Sequence, residues 1–509
     1  MTFSQKDLAQ IKVQGLTETE VLTQIENFRT GFAPMNLKAA AKIDDGIKNF
    51  TEDETEQFIS LYDKEKDNYS ITKFVPASGA ATRMMKDLYN FVEQYKDEDS
   101  TPLSDFPKAE QVIKNIKNFA FYNELNTKMQ KDNLSIAECI EKKAYKTIIE
   151  YILLEKGLNY GKSPKAWILF HSYEDSFITP FEEHLIEAAK YCSKNGEANI
   201  EFTILKEHSN GFKALKDAVV PLYEKKFGIK YNITFSFQQH STDTIAVDLD
   251  NEPIHDKEGC LVFRPAGHGA LITNINKLDS DIVFIKNIDN VSATNREDTI
   301  KYKKLLAGVL INAKKKVANL QNKLSKPRLT KQELVSIATM IKKQVMVADV
   351  KNFMAFPTLA EYRKYLINLL DRPIRVCGMV KNEGEPGGGP FFVESNEGIS
   401  LQIVEKAQVN LLNKEQEKIF QEATHFNPVD IVMSAKSSSG KKYQLSKFVD
   451  YATGFISEKS FEGQTIKAQE LPGLWNGSMA KWLTIFVQVP LTTFTPVKTI
   501  NDLLKDSHQ

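Results

Sequence analysis

Four short stretches combine side chains suited to phosphate, a metal ion or a nucleotide. In Ser78-Gly79-Ala80-Ala81-Thr82-Arg83, which follows an apolar run, small side chains let backbone N–H groups approach an anion and Arg83 supplies a counter-charge. The stretch has no GxxxxGK[ST] pattern, and a turn made small for packing fits the same residues. Lys165 stands between Pro164 and the apolar run 166–170, where it reads either as a point charge for a reacting phosphate or as a solvated lysine at a strand start. Gly267-His268-Gly269, within Arg264-Pro265-Ala266-Gly267-His268-Gly269-Ala270, allows a base or ribose to lie against the backbone; a tight turn bearing a surface histidine is the alternative. Asn287-Ile288-Asp289-Asn290 ends an apolar run with oxygen-bearing side chains suited to Mg2+, or to a plain turn.

These stretches need elements to position them. The runs 71–77, 166–170, 200–205, 233–237, 261–265 and 281–289 are short, apolar and rich in β-branched or aromatic residues, with helical patterns between them such as 180–192. That alternation predicts an α/β protein with a mixed, mostly parallel sheet flanked by helices. Residues 1–65 read as a helical N-terminal extension, with Thr17 and Glu20 at capping-box spacing. The remainder, 66–505, reads as the α/β core with helical insertions at about 86–160 and 297–348, the latter broken at Lys326-Pro327. The run 434–442, SAKSSSGKK, reads as a loop.

Composition removes several classes of function. The 66 basic and 66 acidic residues balance, so no global field selects nucleic acid or an acidic membrane surface and any anion must be bound locally. Cys139, Cys192, Cys260 and Cys377 are scattered without a CxxC pair, which fits a reducing compartment and suggests neither zinc nor a disulfide framework. No stretch approaches the roughly twenty apolar residues of a membrane span, and the N-terminus lacks a leader pattern. A cytoplasmic protein is expected.

Taken in order, the small-residue loop, Pro-Lys, PAGHG and NIDN resemble the UTP–glucose-1-phosphate uridylyltransferase and UDP-sugar pyrophosphorylase group of the nucleotide-diphospho-sugar transferases. The likeness spans about Val75 to Leu504 and extends to Gln238 and Gln239 before GHG, to Gly387, Gly388 and Gly389, to Glu405 in IVEKAQV, to Phe426-Asn427 and to Lys498 in PVKTINDLL. The chain is also similar overall to an uncharacterised bacterial family of about this length. It departs from the pyrophosphorylase pattern at Ser78 and Ala81, where glycine is usual, at Ala270, and in the long separation of Pro164-Lys165 from the loop.

The resemblance implies a Rossmann-like nucleotidyltransferase that joins a nucleoside triphosphate to a sugar 1-phosphate. It implies catalytic roles for Arg83, Lys165 and Lys498; nucleotide contacts from Ser78, Gly79, Ala80, Ala81, Thr82, Gln239, Gly267, His268 and Gly269; sugar contacts from Gly388, Gly389, Glu405 and Asn427; and Mg2+ at Asp289. Two other readings use the same fold. One is a glycosyltransferase consuming a nucleotide sugar, for which Asp248-Leu249-Asp250 has the spacing of a metal motif, although its polar setting reads as a hairpin turn. The other is a non-catalytic sensor of nucleotides or sugar phosphates.

Overall fold

The computed structural model describes residues 3–79, 81–174, 176–345, 347–384 and 387–509. Contacts group the chain into two compact units, each made of three stretches. The first comprises Met1–Ser70, Phe237–Phe284 and Lys304–Val489; the second comprises Ile71–Ser236, Ile285–Lys303 and Pro490–Gln509. This grouping differs from an extension over 1–65 followed by a core over 66–505, because the first seventy residues share a unit with the stretches from 237 and from 304.

In the second unit the strands Ile71–Pro76, Glu197–Thr203 and Lys230–Ser236 lie side by side and parallel, with Val75 opposite Phe202 and Phe202 opposite Phe235. The first of them is buried from Ile71 through Val75, as a strand covered on both faces must be. Beyond Ile285 the chain joins this layer: the Lys286 N–H donates to Phe74 O at 3.3 Å and the Ile288 N–H to Pro76 O at 3.4 Å. The crossovers are the helices Pro180–Tyr191, started by a Thr179–Glu182 capping box and Pro180, and Ser209–Phe227. The expected helical insertion holds five helices between Lys86 and Leu153. They enclose Leu88, Phe91, Leu125 and Ile152 together with Val497 and Ile500 from the C-terminal stretch.

The run 166–170 is not the strand its composition suggests. Pro164 leads into a single 3-10 turn, Lys165–Trp167, and the first strand residue is His171, in a hairpin of His171–Tyr173 with Ser176–Ile178. Ala166, Ile168 and Phe170 are buried at every second position, but 165–167 form the 3-10 turn and the Phe170 N–H, which donates to Ile178 O at 3.1 Å, meets the hairpin just before its first strand residue. Their alternation therefore mimics a strand.

The first unit carries Lys42–Ile43, Gly46–Lys48, Leu483–Gln488, Ile374–Lys381, Ile431–Ser434 and Ile282–Ile285 up to Phe284 in that spatial order. Ile374–Lys381 runs antiparallel to Ile431–Ser434 and to the short strand His425–Phe426, whereas it is parallel to Leu483–Gln488, which is parallel to Gly46–Lys48, itself parallel to Lys42–Ile43. A three-stranded antiparallel sheet joins Asn36–Ala40, Gly389–Ser395 and Gly398–Val404. A four-stranded sheet joins Phe263–Arg264, Thr244–Val247, Gln464–Glu470 and Phe455–Phe461, and the N-terminal helices Gln5–Gln14 and Glu18–Thr30 cover it through Ile11, Val21, Ile25 and Phe28. The Thr17–Glu20 capping box is formed in both directions. The segment 36–48, however, is strand where helix was expected. Asp248 and Asp250 sit in a hairpin turn closed by Asp248 N–H to Glu252 O at 2.9 Å.

Candidate functional site

The second unit gathers the phosphate and metal candidates around Asp289. Lys165 Nζ donates to Asp289 Oδ2 at 2.7 Å and to the Val497 carbonyl, also at 2.7 Å. The Val497 N–H donates to the Asp289 carbonyl at 3.1 Å, which sets Lys498 beside the carboxylate with Nζ 3.4 Å from the same oxygen. Asn290 fixes this C-terminal segment: its Oδ1 accepts from Thr495 N–H at 2.9 Å and its Nδ2 donates to Thr493 O at 3.4 Å. Lys165 is largely buried whereas Lys498 is 59% exposed, so Lys165 is the less screened of the two partners. Burial alone would raise the Asp289 carboxyl; the two lysines and their hydrogen bonds overcome that and hold it below the ordinary carboxylate value.

The small-residue loop leaves the strand end at Ala77, whose N–H donates to Thr203 O at 2.8 Å. Gly79 O receives the Lys165 N–H at 3.5 Å, which ties the loop to the turn that carries Lys165. Ala81 is buried, and its N–H donates to Ser163 O at 3.0 Å, so it anchors the loop instead of offering that N–H to a ligand. Gly79, Thr82 and Arg83 are exposed and Ser78 is half-buried. Ala80 lies outside the described residues.

Among the described residues no three His, Cys, Asp or Glu side chains come together as a metal cage. Asp289 is a lone ionised carboxylate, and both lysines meet one of its oxygens. That donor set fits magnesium, which takes one or two carboxylates and leaves the rest of its octahedron to substrate phosphates and water, and it does not fit a protein-caged ion.

The sugar candidates and the nucleotide candidates outside the small-residue loop belong to the first unit, His268 among them. Its Nδ1 accepts the Leu474 N–H at 3.0 Å, so the neutral ring carries its proton on Nε2. Trp475 stacks on the imidazole with centroids 4.2 Å apart and planes 14° apart. Burial pushes the His268 pKa down against the opposing pull of Glu405 and Glu470. The glycines on either side are required sterically. Gly267 has a φ of +76°, and a Cβ on Gly269 would stand 2.1 Å from the Pro472 carbonyl oxygen.

Gly388 lies against Glu405: a Cβ there would come 3.5 Å from Glu405 Cγ and 2.5 Å from Ile403 Cγ2. Gly389 opens the strand Gly389–Ser395. Asn427, expected as a sugar contact, has its side chain on backbone groups. It is buried, its N–H donates to Gly388 O at 2.9 Å, its Nδ2 to Gly378 O at 2.8 Å, and its Oδ1 accepts from Val429 N–H at 3.1 Å. Its backbone N–H thus holds Gly388, and its side-chain amide holds Gly378. Gln239 is half-buried with its Nε2 on the nearby Phe237 carbonyl at 3.1 Å. Trp475 and the Leu474 N–H were missed in the sequence because the Pro-Gly-Leu-Trp turn carries no charge and follows GHG at a great distance along the chain.

A family profile described as "Domain of unknown function (DUF4301)" matches residues 4–509. No curated protein matches the chain. Among solved structures, the chain is similar to the uridine diphosphate N-acetylglucosamine pyrophosphorylase of Trypanosoma brucei, with 10% identity, 98% of this chain and 79% of that chain covered, and a TM-score of 0.50. It is also similar to the UDP-glucose pyrophosphorylase of Leishmania major, with 11% identity, 99% and 79% covered, and a TM-score of 0.45. The first likeness shows the fold: a mixed α/β architecture of the nucleotidyltransferase type with a largely parallel central sheet. No helix among the described residues is long and apolar enough to cross a membrane.

Proposed function

The chain belongs to the DUF4301 family, and from its own residues we propose that it is a magnesium-dependent nucleotidyltransferase joining a UTP-like nucleoside triphosphate to a sugar 1-phosphate. The observation that carries this reading is the Lys165–Asp289–Lys498 cluster: one carboxylate held ionised by two lysines, beside a loop of small residues. A phosphate oxygen of the sugar 1-phosphate attacks the α-phosphorus; that O–P bond forms as the bond to the β-phosphate oxygen breaks, and pyrophosphate leaves. The nucleophile is already anionic near neutral pH, so no general base is required.

Rate enhancement then comes from positioning and from neutralising charge. Lys165 and Lys498 hold the phosphates being joined, while Arg83 with the exposed Gly79 and Thr82 receives the departing pyrophosphate. Asp289 would hold a magnesium ion, which would supply charge neutralisation for the phosphates. His268, neutral with its proton on Nε2, donates a hydrogen bond to a base or sugar oxygen, with Gly267 and Gly269 allowing close approach and Gln239 nearby in sequence. Glu405 accepts from sugar hydroxyls, and Gly388 and Gly389 leave room for the ring.

The test incubates the intact protein with Mg2+, each nucleoside triphosphate and a panel of sugar 1-phosphates, and measures pyrophosphate. Release with at least one pair is expected, falling at least about a hundredfold in Lys165→Ala and Asp289→Ala. Nucleotide binding without release under any combination would replace this reading with that of a sensor.

A further inference from the structure

The first unit contains a second pocket, of about 400 Å³, none of whose lining residues has a part in the proposed reaction. It is bounded by the turn and strand 395–402, by Tyr365 and Leu369 of the helix Leu359–Leu370, and by 480–484 at the entry to the strand Leu483–Gln488. Two of its side chains, Gln402 and Trp482, are each 4% exposed. Gln402 Nε2 donates to Ser400 Oγ at 3.0 Å, but Gln402 Oε1 and Trp482 Nε1 have no hydrogen-bond partner among the described residues. A buried acceptor and a buried donor left open in one pocket are costly unless something there pairs with them.

Charge in and around the pocket gives a second, independent indication. Arg375 is fully buried behind the wall and donates through Nε to Thr484 Oγ1, a lining residue, at 2.9 Å; its Nη2 is unpartnered and no carboxylate pairs with it among the described residues. At the rim, Glu397 stands between Arg372 Nη2 at 3.6 Å and Lys481 Nζ at 3.2 Å. These contacts are long and Glu397 is more than half exposed, so an incoming anion can displace it from both cations at little cost. Asp349 and Asp450 also line the pocket and are acceptors for hydroxyl groups.

We propose that this pocket binds a small polyhydroxylated anion, a sugar phosphate or a sugar acid. A hydroxyl both donates and accepts, which answers Gln402 Oε1 and Trp482 Nε1 together, while the phosphate or carboxylate lies between Arg372 and Lys481. The proposal is independent of the nucleotidyltransferase reading, because none of these residues is assigned to that reaction.

The experiment follows the indole N–H resonances of the intact ¹⁵N-labelled protein, which has three tryptophans, with the Trp482 signal identified by its loss in Trp482→Phe. The protein is titrated separately with glucose 6-phosphate, gluconate and inorganic phosphate, with and without saturating UTP. A saturable shift of the Trp482 signal is expected with at least one sugar anion, unchanged by UTP; which one acts identifies phosphate or carboxylate as the recognised anion. Binding measured by calorimetry should weaken about fivefold in Trp482→Phe. It should weaken at least about tenfold in Arg372→Ala/Lys481→Ala, with the unfolding midpoint of the double variant measured alongside to show that these half-buried rim positions leave the fold intact. The proposal is overturned if neither sugar anion gives a saturable shift by about 10 mM, a range that covers even millimolar affinity. It is also overturned if inorganic phosphate alone reproduces the response, or if the rim double variant binds as tightly as the natural protein.

Discussion

At His268 one imidazole is fixed from two directions: the Leu474 N–H occupies Nδ1 and Trp475 covers a face. The ring can then present Nε2–H in one orientation, and burial keeps it neutral. Replacing Trp475 by leucine removes the stacking plane, and an aromatic pair of this kind is worth up to about tenfold in affinity. In Trp475→Leu the KM for the nucleoside triphosphate should rise by about that factor while kcat changes less than about threefold; an equal fall in kcat would mean that the ring acts in the transition state. The types of the site residues were legible in the sequence because glycine, lysine and aspartate each have few reasons to cluster at the ends of apolar runs. Their partnerships were not. Nothing in the spacing of Lys165, Asp289 and Val497 states that one ammonium bonds the other two. Asn427, whose type suits a sugar hydroxyl, spends its amide on backbone groups instead.

Among the elements, the helix Pro180–Tyr191 fixes the chain just before Asp289. Glu187 accepts from Lys286 at 2.6 Å and from Lys73 at 2.8 Å, and His184 Nε2 lies 3.3 Å from the Ile288 carbonyl, one residue before Asp289. All three members of the ion triad are buried, and burial brings Lys73 down to about 8 despite Glu187. Removing the only carboxylate of the triad leaves two buried ammonium groups without a counter-charge. Glu187→Ala should therefore destabilise the protein by about 3–5 kcal/mol in urea unfolding. A loss below about 1 kcal/mol would show that water reaches the lysines. The strands were readable from their apolar runs, but nothing in 71–77 or 281–289 tells that Lys73 and Lys286 are buried on one carboxylate. The strands within 36–48 were hidden for a related reason: they are short, and only Leu37, Ala40 and Ile47 of them are buried among lysines and aspartates. The run 166–170 misled in the opposite sense, since alternate burial arises there from a 3-10 turn and the extended residues that follow it, ahead of the first strand residue, His171.

Across the whole molecule, acid sensitivity comes from histidines that are buried neutral. Burial lowers His184, His268, His425 and His508, the last to about 3. Between those folded values and the unfolded value of about 6.5, the unfolded chain binds more protons, so stability is full above about pH 6.5 and declines as the pH falls. Asp289, also lowered, adds its loss only at more acid pH, below the unfolded aspartate value of about 3.9. The thermal midpoint should thus drop measurably between pH 7 and pH 5, before carboxylates titrate. A flat profile over that interval would show that the four rings are protonated without unfolding.

The interleaving of the two units has a consequence for the protein's birth on the ribosome. The chain passes from one unit to the other after residues 70, 236, 284, 303 and 489. Strand Ile374–Lys381 waits for Leu483–Gln488 to emerge, and the helices between Lys86 and Leu153 wait for Val497 and Ile500. Neither unit can finish as an early, self-contained piece while the rest is translated. The nascent chain must carry unsealed apolar surface until residues 483–500 have emerged, which makes holding factors and slow elongation matter more for its yield than for a protein whose domains follow one another in line.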